Sequence, residues 1–487
     1  MLARTVTHAL VGLDARRVEV EAHLHGGTLP GLTIVGLADR ACQEAKERVR
    51  SGVRSAELKW PQGRITVNLA PADLRKEGSG FDLPIALAVL AASGQVPLER
   101  LKGHAAVGEL ALDGRIRAVG GVLAAAEGAR RGGFDRLFCA AESAAEAALA
   151  GIDPIPLRHL AEAAAYLRGE GEPPAPVQPS CEQAGSSHPD LADVRGQERA
   201  RRALELAAAG GHNLLLAGPP GTGKSMLARR LPGILPPLSR DDAFEVTRIH
   251  SVAGLLAPER PLIRLPPFRA PHHSASTAAI VGGGAGPRPG EATLAHCGVL
   301  LLDELPEFMR PALEALRQPL EDGVINVSRA AGRALFPARF QLVATMNMCP
   351  CGARGDPAAE CTCSSQRLSA FRDKLSRALL DRFDLVVKVP RARAAELSAG
   401  EAEGSEVVLG RVVHARERLG NGGLQRSGEA EELLNRAVER LPLSGRGRAR
   451  VARVARTVAA LAAADEILGE HVAEALSYRS PTELQAL

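Results

Sequence analysis

The feature that most constrains this chain is a glycine-rich run between an apolar stretch and a helical pattern. The apolar stretch is HNLLLAG (212–218), and the following run fits the pattern G-x-x-x-x-G-K-[ST]. Such a loop presents successive backbone N–H groups to phosphates, and the start of the following helix adds positive dipole. The pattern predicts a nucleotide site in which Lys224 reaches the β- and γ-phosphates and Ser225 ligates Mg²⁺. This phosphate-binding loop, the P-loop, consists of Gly218, Pro219, Pro220, Gly221, Thr222, Gly223, Lys224 and Ser225.

Two carboxylates follow the next strongly apolar stretch, VLLL (299–302). If that stretch is a buried parallel strand, Asp303 and Glu304 lie at the carboxyl edge of the sheet, where ligands bind. We expect Asp303 to hold the magnesium shell and Glu304 to orient or deprotonate the attacking water. An isolated Asp-Glu pair could equally cap a helix. The phosphate loop about 80 residues upstream favours the nucleotide site.

Two further polar residues come later in the chain. Asn347 ends the stretch FQLVATMN (340–347), and we expect it to hold the water near the γ-phosphate. Arg382, in LLDRFD (379–384), is a candidate arginine finger. Either residue alone would be unremarkable, since an arginine beside an aspartate usually forms a surface ion pair. Their order after the two ATP motifs is what gives them weight.

Apolar runs alternate with helical patterns in the middle of the chain. Residues 212–218, 297–304, 340–347 and 384–390 have the pattern of buried strands, whereas 198–210 and 224–235 have that of helices. This order predicts an α/β fold with a doubly wound parallel sheet. Beyond about residue 400 the strands stop and helical spacing continues, which predicts a C-terminal helical lid.

Residues 169–189 are dense in Pro, Gly, Ser and Glu and lack apolar periodicity, as expected of a linker. We therefore divide the 487 residues into a domain at 1–168, the linker, an ATPase core at 190–395 and a lid at 396–487.

Composition says more about where the protein is located than about which ligand it binds. The formal net charge is +4, which neither requires nor excludes an anionic ligand. No apolar run is long enough to span a bilayer and no cleavable leader is evident, so we expect a cytoplasmic protein without a membrane partner. The eight cysteines are then thiols or metal ligands rather than disulfides.

Half of the cysteines lie in one Gly- and Pro-rich stretch, as Cys349-x-Cys351 and Cys361-x-Cys363. Four thiolates suit tetrahedral zinc, although the C-x-C spacing is tighter than the usual two to four intervening residues. Two interpretations stay open, a structural Zn²⁺ site and a set of reduced thiols.

Several long stretches resemble AAA+ ATPases with a pre-sensor-1 β-hairpin, the clade of magnesium chelatases and MCM helicases. More closely, the whole chain is similar to the ComM (YifB) group of magnesium-chelatase-like ATPases. The resemblance implies a homo-hexameric ring with ATP sites between subunits, where Arg382 acts on the neighbour's nucleotide. It also assigns Arg446, in LSGR (443–446), to the lid arginine called sensor 2. The shared stretches are FRAPHHSAS (268–276), GGGAGPRPGEATLAHCGVLLLDELPEF (282–308), LRQPLEDG (316–323) and ATMNMCPCGARGDP (344–357).

The same resemblance places two segments in the pore of the ring. One is 269–290 with His272, His273 and Arg288, and the other is the hairpin pattern at 324–336 with Arg329 and Arg333. Aromatic residues make up only 3% of the chain, so base stacking is a minor contribution. We expect Arg288, Arg329 and Arg333 to contact DNA phosphates.

Residues 1–168 resemble the Lon-protease C-terminal domain, a ribosomal-S5-like α/β fold, in KEGSGFD (76–82). Such proteases need a serine nucleophile and a lysine that takes its proton. Alignment on the flanking residues places Gly80 at the serine position and Leu123 at the lysine position, and Ser79 is one residue displaced. The resemblance therefore predicts a catalytically dead protease fold that serves assembly or DNA contact.

Three functions fit these features. The first, which rests mostly on the resemblance, is a hexameric branch-migration helicase that helps donor DNA integrate by homologous recombination during natural transformation. The alternative is a magnesium-chelatase subunit that drives metal insertion into a tetrapyrrole, and the third is an ATP-dependent protease. Gly80 and Leu123 disfavour the protease. Chelatase ATPase subunits are expected to lack the Lon-like half, which favours the DNA motor.

Overall fold

The computed structural model of the chain describes residues 1–26, 31–172, 175, 188–283, 287–329, 332–397, 402–420, 422–441 and 443–479. Within them, no helix combines the length and the apolar character that a membrane crossing requires.

The N-terminal part, up to residue 168, is a mixed α/β layer structure. Its seven-stranded sheet has the order β3-β4-β2-β1-β5-β8-β9, in which β1 pairs antiparallel with β2 and parallel with β5. Helix α2 (Asp82–Ala92) is buried along its whole length, because all of its own side chains after Asp82 are apolar and every face can pack against the core. The strands are β1 (Leu2–Val11), β2 (Asp14–His25), β3 (Gly31–Val35), β4 (Arg64–Ala70), β5 (His104–Ala106), β6 (Glu109–Leu110), β7 (Ile116–Arg117), β8 (Arg136–Ala140) and β9 (Asp153–Leu157). The helices are α1 (Arg40–Ser55), α2 (Asp82–Ala92), α3 (Val122–Arg131), α4 (Ala144–Ala148) and α5 (Leu160–Arg168).

The middle part contains a five-stranded sheet with the order β11-β12-β15-β10-β16, and all its pairings are parallel. This confirms the predicted doubly wound sheet. The strands of this part are β10 (Leu214–Ala217), β11 (Phe268–Arg269), β12 (Val299–Leu302), β13 (Val324–Arg329), β14 (Gly332–Pro337), β15 (Gln341–Met346) and β16 (Leu385–Lys388). The helices are α6 (Glu198–Gly210), α7 (Lys224–Ala228), α8 (Arg240–Val252), α9 (Thr277–Val281), α10 (Glu291–Leu294), α11 (Arg310–Ala315), α12 (Arg317–Asp322), α13 (Ser365–Arg372), α14 (Arg377–Leu380) and α15 (Ala394–Leu397).

Two predicted elements differ in the structure. The helix expected over 224–235 ends at Ala228 and is followed by a separate 3-10 turn, Leu231–Ile234. Pro232 lacks an N–H and its ring would clash with the carbonyl of Ala228, so the α-helix stops there. The C-terminal part is helical as predicted, but it also contains a short parallel pair, β17 (Gln425–Arg426) with β18 (Glu466–Ile467). Its helices are α16 (Ser405–Gly420), α17 (Gly428–Arg440), α18 (Gly445–Leu461) and α19 (Gly469–Ser477).

The N-terminal part packs on the middle part through a few contacts. Leu13, in the turn between β1 and β2, belongs to the same apolar cluster as Phe336 of the β13–β14 hairpin. The backbone N–H of Gly121 donates to the carbonyl of Ser251, 2.8 Å away. The Ser251 hydroxyl donates to the half-buried Glu146 carboxylate at 2.5 Å. These contacts tie the first part of the chain to α8 and to the hairpin.

Candidate nucleotide site

The glycine-rich loop follows β10 at the carboxyl edge of the parallel sheet and leads into α7. Gly221 and Gly223 have φ angles of +76° and +87°, which glycine adopts without the penalty of a side chain. A Cβ atom on Gly218 would lie 2.2 Å from the carbonyl oxygen of Val389. The glycines therefore let this loop turn tightly against the neighbouring strand.

The Lys224 ammonium lies inside the loop and is nearly buried. It donates hydrogen bonds to the carbonyls of Gly218 and Pro219, at 2.9 and 2.7 Å, and to Asn347 Oδ1 at 3.1 Å. Burial lowers the pKa of Lys224, and the carboxylates of Asp303 and Glu304 oppose that shift. The structure thus brings Lys224 and Asn347 together although 123 residues separate them.

The Asp303 carboxylate lies at the end of β12 and accepts two hydroxyl hydrogen bonds. Ser225 Oγ donates to Asp303 Oδ1 at 2.7 Å, and Thr345 Oγ1 donates to the same oxygen at 2.5 Å. Carboxylate and hydroxyl oxygens are the hard ligands that Mg²⁺ prefers, so Ser225 and Asp303 fit a magnesium site. Thr345 was not singled out from the sequence, although a polar residue in the apolar strand β15 was the available signal.

Glu304 has a strained backbone and an exposed side chain. Its φ and ψ angles are +58° and +51°, and its N–H donates to Thr345 Oγ1 at 3.1 Å. A left-handed conformation at a residue other than glycine costs about 1–2 kcal/mol and is held here by the surrounding structure. The carboxylate is 61% exposed and faces the His273 ring, with His273 Nδ1 3.7 Å from Glu304 Oε2. The stretch 268–276 therefore reaches the predicted catalytic carboxylate, a contact that sequence spacing could not indicate.

Arg382 and Arg446 share one carboxylate, Glu321 of α12. Arg382 donates to Glu321 Oε1 and its side chain is only 5% exposed. Arg446, at the start of α18, lies 3.5 Å from the same oxygen and is 71% exposed. Glu321 was not singled out individually, although it lies within the quoted stretch LRQPLEDG.

These two arginines lie at the opposite edge of the sheet from the P-loop of their own chain. Asn213, which precedes β10, donates through Nδ2 to the carbonyl of Arg382 at 2.9 Å. Gly218 follows β10, so a strand's length of roughly 16 Å separates the two edges. Arg382 and Lys224 of one chain therefore do not belong to the same nucleotide site.

The cysteine stretch folds into one cluster beside the P-loop. The Sγ atoms of Cys349, Cys351, Cys361 and Cys363 all lie within 4.8 Å of one another. Four thiols this close can coordinate a single metal ion.

The expected DNA contacts are only partly described. Arg288 is exposed, and its backbone pairs with that of Gly283. The hairpin predicted at 324–336 is confirmed as β13–β14, with Ser328 opposite Arg333 and Arg329 opposite Gly332. The side chains of Arg329 and Arg333 lie outside the described part of the chain.

In the N-terminal part, the residues at and near the Lon-like catalytic positions contact other residues of the same part of the chain. Ser79 Oγ donates to Glu109, and the fully buried Lys76 ammonium donates to the carbonyl of Pro71. Leu123 is buried, and its backbone N–H donates to Glu146 Oε1 at 2.8 Å. Among the described residues, no lysine ammonium hydrogen-bonds to Ser79.

The parallel sheet carries a P-loop after β10, a carboxylate pair after β12 and an asparagine after β15, which lies between these two strands. This arrangement defines an AAA+ ATPase fold. Sequence comparisons agree with this class. The family model described as magnesium chelatase, subunit ChlI, matches residues 190–397. Models described as subunit ChlI of Mg-chelatase and as the ChlI C-terminal region match residues 20–143 and 402–479.

Similar proteins cover nearly the whole chain. An uncharacterized protein of Mycobacterium tuberculosis is 46% identical over 98% of both chains. The protein YifB of Escherichia coli is 42% identical over 97% of this chain and 96% of its own length. The competence protein ComM of Haemophilus influenzae is 42% identical over 99% of this chain and 98% of its own. The chain therefore belongs to the magnesium chelatase family, which confirms the resemblance drawn from the motifs.

Proposed function

We propose that the protein is an ATP-driven motor on DNA, a hexameric helicase for branch migration during the integration of donor DNA. The observation that carries the ATPase half is the cluster of Lys224, Ser225, Asp303 and Asn347 at one sheet edge. The DNA half is supported by similarity to a relative named competence protein ComM. Natural transformation is the process in which such a motor would act.

The positions of the residues support the following assignment of roles. The loop amides and Lys224 bind the phosphates in place of the carbonyls that Lys224 now contacts. Ser225 and Asp303 would hold Mg²⁺, which would neutralise charge developing on the phosphates. Glu304 takes the proton of the attacking water, and Asn347 orients that water. Since Glu304 projects into solvent, it can reach a water molecule that bridges to the nucleotide.

Arg382 and Arg446 support a ring assembly. Both lie about one strand's length from the P-loop of their own chain, so a phosphate contact by either requires a neighbouring subunit. In a closed head-to-tail ring, every subunit presents this edge to the P-loop edge of the next. Arg382 then acts as the finger and Arg446 as the sensor-2 arginine on the neighbour's ATP. To reach the neighbour's ATP, Arg382 must break its ion pair with Glu321, which is the contact that it makes in the isolated subunit.

Mixing two inactive variants tests the shared site. Lys224→Ala removes the phosphate ligand and Arg382→Ala removes the finger, so neither variant alone should hydrolyse ATP. A mixed ring contains some interfaces with an intact loop on one side and an intact finger on the other. We expect the mixture to recover part of the wild-type turnover. Normal turnover by Arg382→Ala alone would place the finger elsewhere.

ATPase assays with different polymers test the DNA half. We expect single-stranded, duplex or Holliday-junction DNA to stimulate turnover, with protoporphyrin as the control for the chelatase alternative. That alternative is favoured by the family descriptions, and the match over residues 20–143 removes one argument against it. The N-terminal half was expected to be absent from chelatase subunits, yet the matching model is described as subunit ChlI. Porphyrin-dependent metal insertion without a response to DNA would overturn the DNA motor.

A further inference from the structure

The cysteine cluster has the dimensions of a tetrahedral metal site. The Sγ atom of Cys349 lies 3.3 Å from that of Cys351 and 3.7 Å from that of Cys361, and the Cys351–Cys361 separation is also 3.7 Å. Thiolates that surround zinc at about 2.3 Å in a tetrahedron are about 3.8 Å apart. A disulfide would need about 2.0 Å. The separations therefore match a shared ion rather than a covalent bridge.

The backbone around the cluster supports metal-bound thiolates. The N–H of Arg354 donates to Cys349 Sγ at 3.3 Å, and a donor of this kind stabilises a thiolate in a zinc site. Gly352 and Gly355 have φ angles of +80° and +82°, and these two turns fold the chain back toward the thiols. Cys349 is 1% exposed while Cys351 is exposed, so the cluster has one buried wall and an entry path from solvent.

The same stretch packs against the nucleotide loop. A Cβ atom on Gly352 would lie 2.9 Å from Cδ of Pro220, so these two turns are in direct contact. Asp356, nearly buried, accepts from Arg391 at 2.9 Å, which ties the stretch to the segment after β16. Asn347 precedes the first cysteine by only two residues. The stretch thus touches the P-loop, and it begins two residues after the one that contacts Lys224.

We propose that Cys349, Cys351, Cys361 and Cys363 bind one Zn²⁺ ion, and that the ion holds residues 349–363 against the P-loop. Binding releases the thiol protons to solvent and leaves a closed four-sulfur site. Without the ion, residues 349–363 have no disulfide within the described part of the chain and contribute to none of its apolar clusters that could hold them in place. The contact between Gly352 and Pro220 of the P-loop would then be weakened. The consequence for nucleotide binding rests on the proposed ATPase function, whereas the metal site itself does not.

Metal analysis of protein purified without chelator tests the site. We expect about one zinc per chain, and replacement by Co²⁺ should give the visible absorption of a tetrahedral thiolate complex. The double variant Cys351→Ser/Cys361→Ser should lose the metal. Cys297→Ser is the matched control, because this thiol lies outside the cluster and a serine can still donate to Asp242. The single variant Cys351→His should retain zinc, because histidine is itself a zinc ligand and position 351 is exposed.

Zinc-free wild-type protein that also takes up no Co²⁺ would overturn the site, as would iron in place of zinc. Retention of zinc by the double serine variant would overturn the ligand assignment.

Hydrogen exchange tests the link to the P-loop without relying on turnover. Zinc is removed with a zinc-selective chelator in excess Mg²⁺, and the peptide covering 218–225 is compared before and after zinc is restored. We expect exchange to become at least about tenfold faster without zinc, with nucleotide affinity falling in parallel. Unchanged exchange after complete zinc loss would overturn the brace. Fast exchange in a protein that binds no nucleotide even with zinc would instead refute the ATPase proposal and leave the brace standing.

Discussion

Two glycine-rich turns, one in each half of the molecule, bring a lysine close to the start of a helix, yet they differ in what their polar groups contact. In the N-terminal turn, Lys76 is fully buried on the carbonyl of Pro71, and Ser79 donates to Glu109. Asp82, also buried, accepts from Arg48 at 2.6 and 3.0 Å. Every one of these side chains is bound to a partner in its own domain.

The nucleotide loop uses its polar groups differently. Lys224 donates to two loop carbonyls and to Asn347, and all of these acceptors lie at the open edge of the sheet. Glu304, close by, remains 61% exposed. A phosphate can replace weakly held backbone acceptors, whereas displacing a buried ion pair such as Arg48–Asp82 leaves an uncompensated charge. The two turns therefore differ in surroundings: the N-terminal lysine is fully buried beside a buried ion pair, whereas Lys224 lies next to an exposed carboxylate.

The largest expected effect comes from the two turns themselves. Lys224→Ala should abolish nucleotide binding, because it removes the ammonium that contacts the phosphates. Ser79→Ala should leave nucleotide binding and turnover within about twofold of wild type. The contact that it removes, from Ser79 to Glu109, lies within the N-terminal part and involves no residue of the P-loop. Titration with a fluorescent nucleotide measures both. Equal loss in the two variants would contradict the contrast between the turns.

Much of the candidate nucleotide site could be predicted from the sequence, because its residues follow buried strands whose carboxyl ends meet at one edge of the sheet. The P-loop, Asp303, Glu304 and Asn347 were identified in this way. Thr345 and Glu321 were missed because their partners come from distant parts of the chain, which spacing alone cannot reveal. The contact between His273 and Glu304 was missed for the same reason. The end of α7 at Ala228 was available in the sequence, since Pro232 marks it.

The second expected effect concerns hydrolysis without loss of binding. Glu304→Gln should keep nucleotide affinity while turnover falls by about 10²–10⁴-fold, because an amide cannot take the proton of water. Glu307→Gln is the matched control. This carboxylate is also exposed and lies three residues further along the chain, but it pairs with Lys374, at 3.4 Å, rather than with a residue of the candidate site. Steady-state phosphate release measures both variants. Wild-type turnover in Glu304→Gln would remove it from the catalytic role.

A smaller effect uses one buried histidine from each half. Burial lowers the pKa of His8 and of His212 to about 4. Both stay neutral in the folded protein while the unfolded chain takes up a proton below about pH 6.5, so folding stability falls as the pH drops from 6.5 toward 4. At pH 5 each should contribute a loss of about 2 kcal/mol in the free energy of unfolding.

Unfolding followed between pH 7 and pH 5 measures this loss, and His8→Gln and His212→Gln should each flatten the decline for their own half. A decline of unchanged steepness in His212→Gln would show that other groups govern acid lability in the nucleotide-binding half.

The smallest effect concerns the proposed DNA track. If Arg288 and the hairpin arginines Arg329 and Arg333 contact phosphates, DNA binding should be independent of sequence and should weaken steeply with salt. Removing one phosphate contact should reduce the slope of log affinity against log salt by about one unit or less. In a ring the same change occurs in every subunit, so the measured loss can be larger. ATP turnover without DNA should survive in Arg333→Ala, because the hairpin is separate from the P-loop.

The alternative is that these arginines are solvated hairpin residues in an arginine-rich chain. A salt titration of the Arg329→Ala/Arg333→Ala double variant separates the two, with Arg440→Ala on the exposed end of α17 as the control. A reduced slope in the double variant and an unchanged slope in the control would assign the track to the hairpin. An unchanged slope in both would mean that DNA passes elsewhere, and the N-terminal half would then be the next surface to test, because its turn between β1 and β2 packs directly against the hairpin.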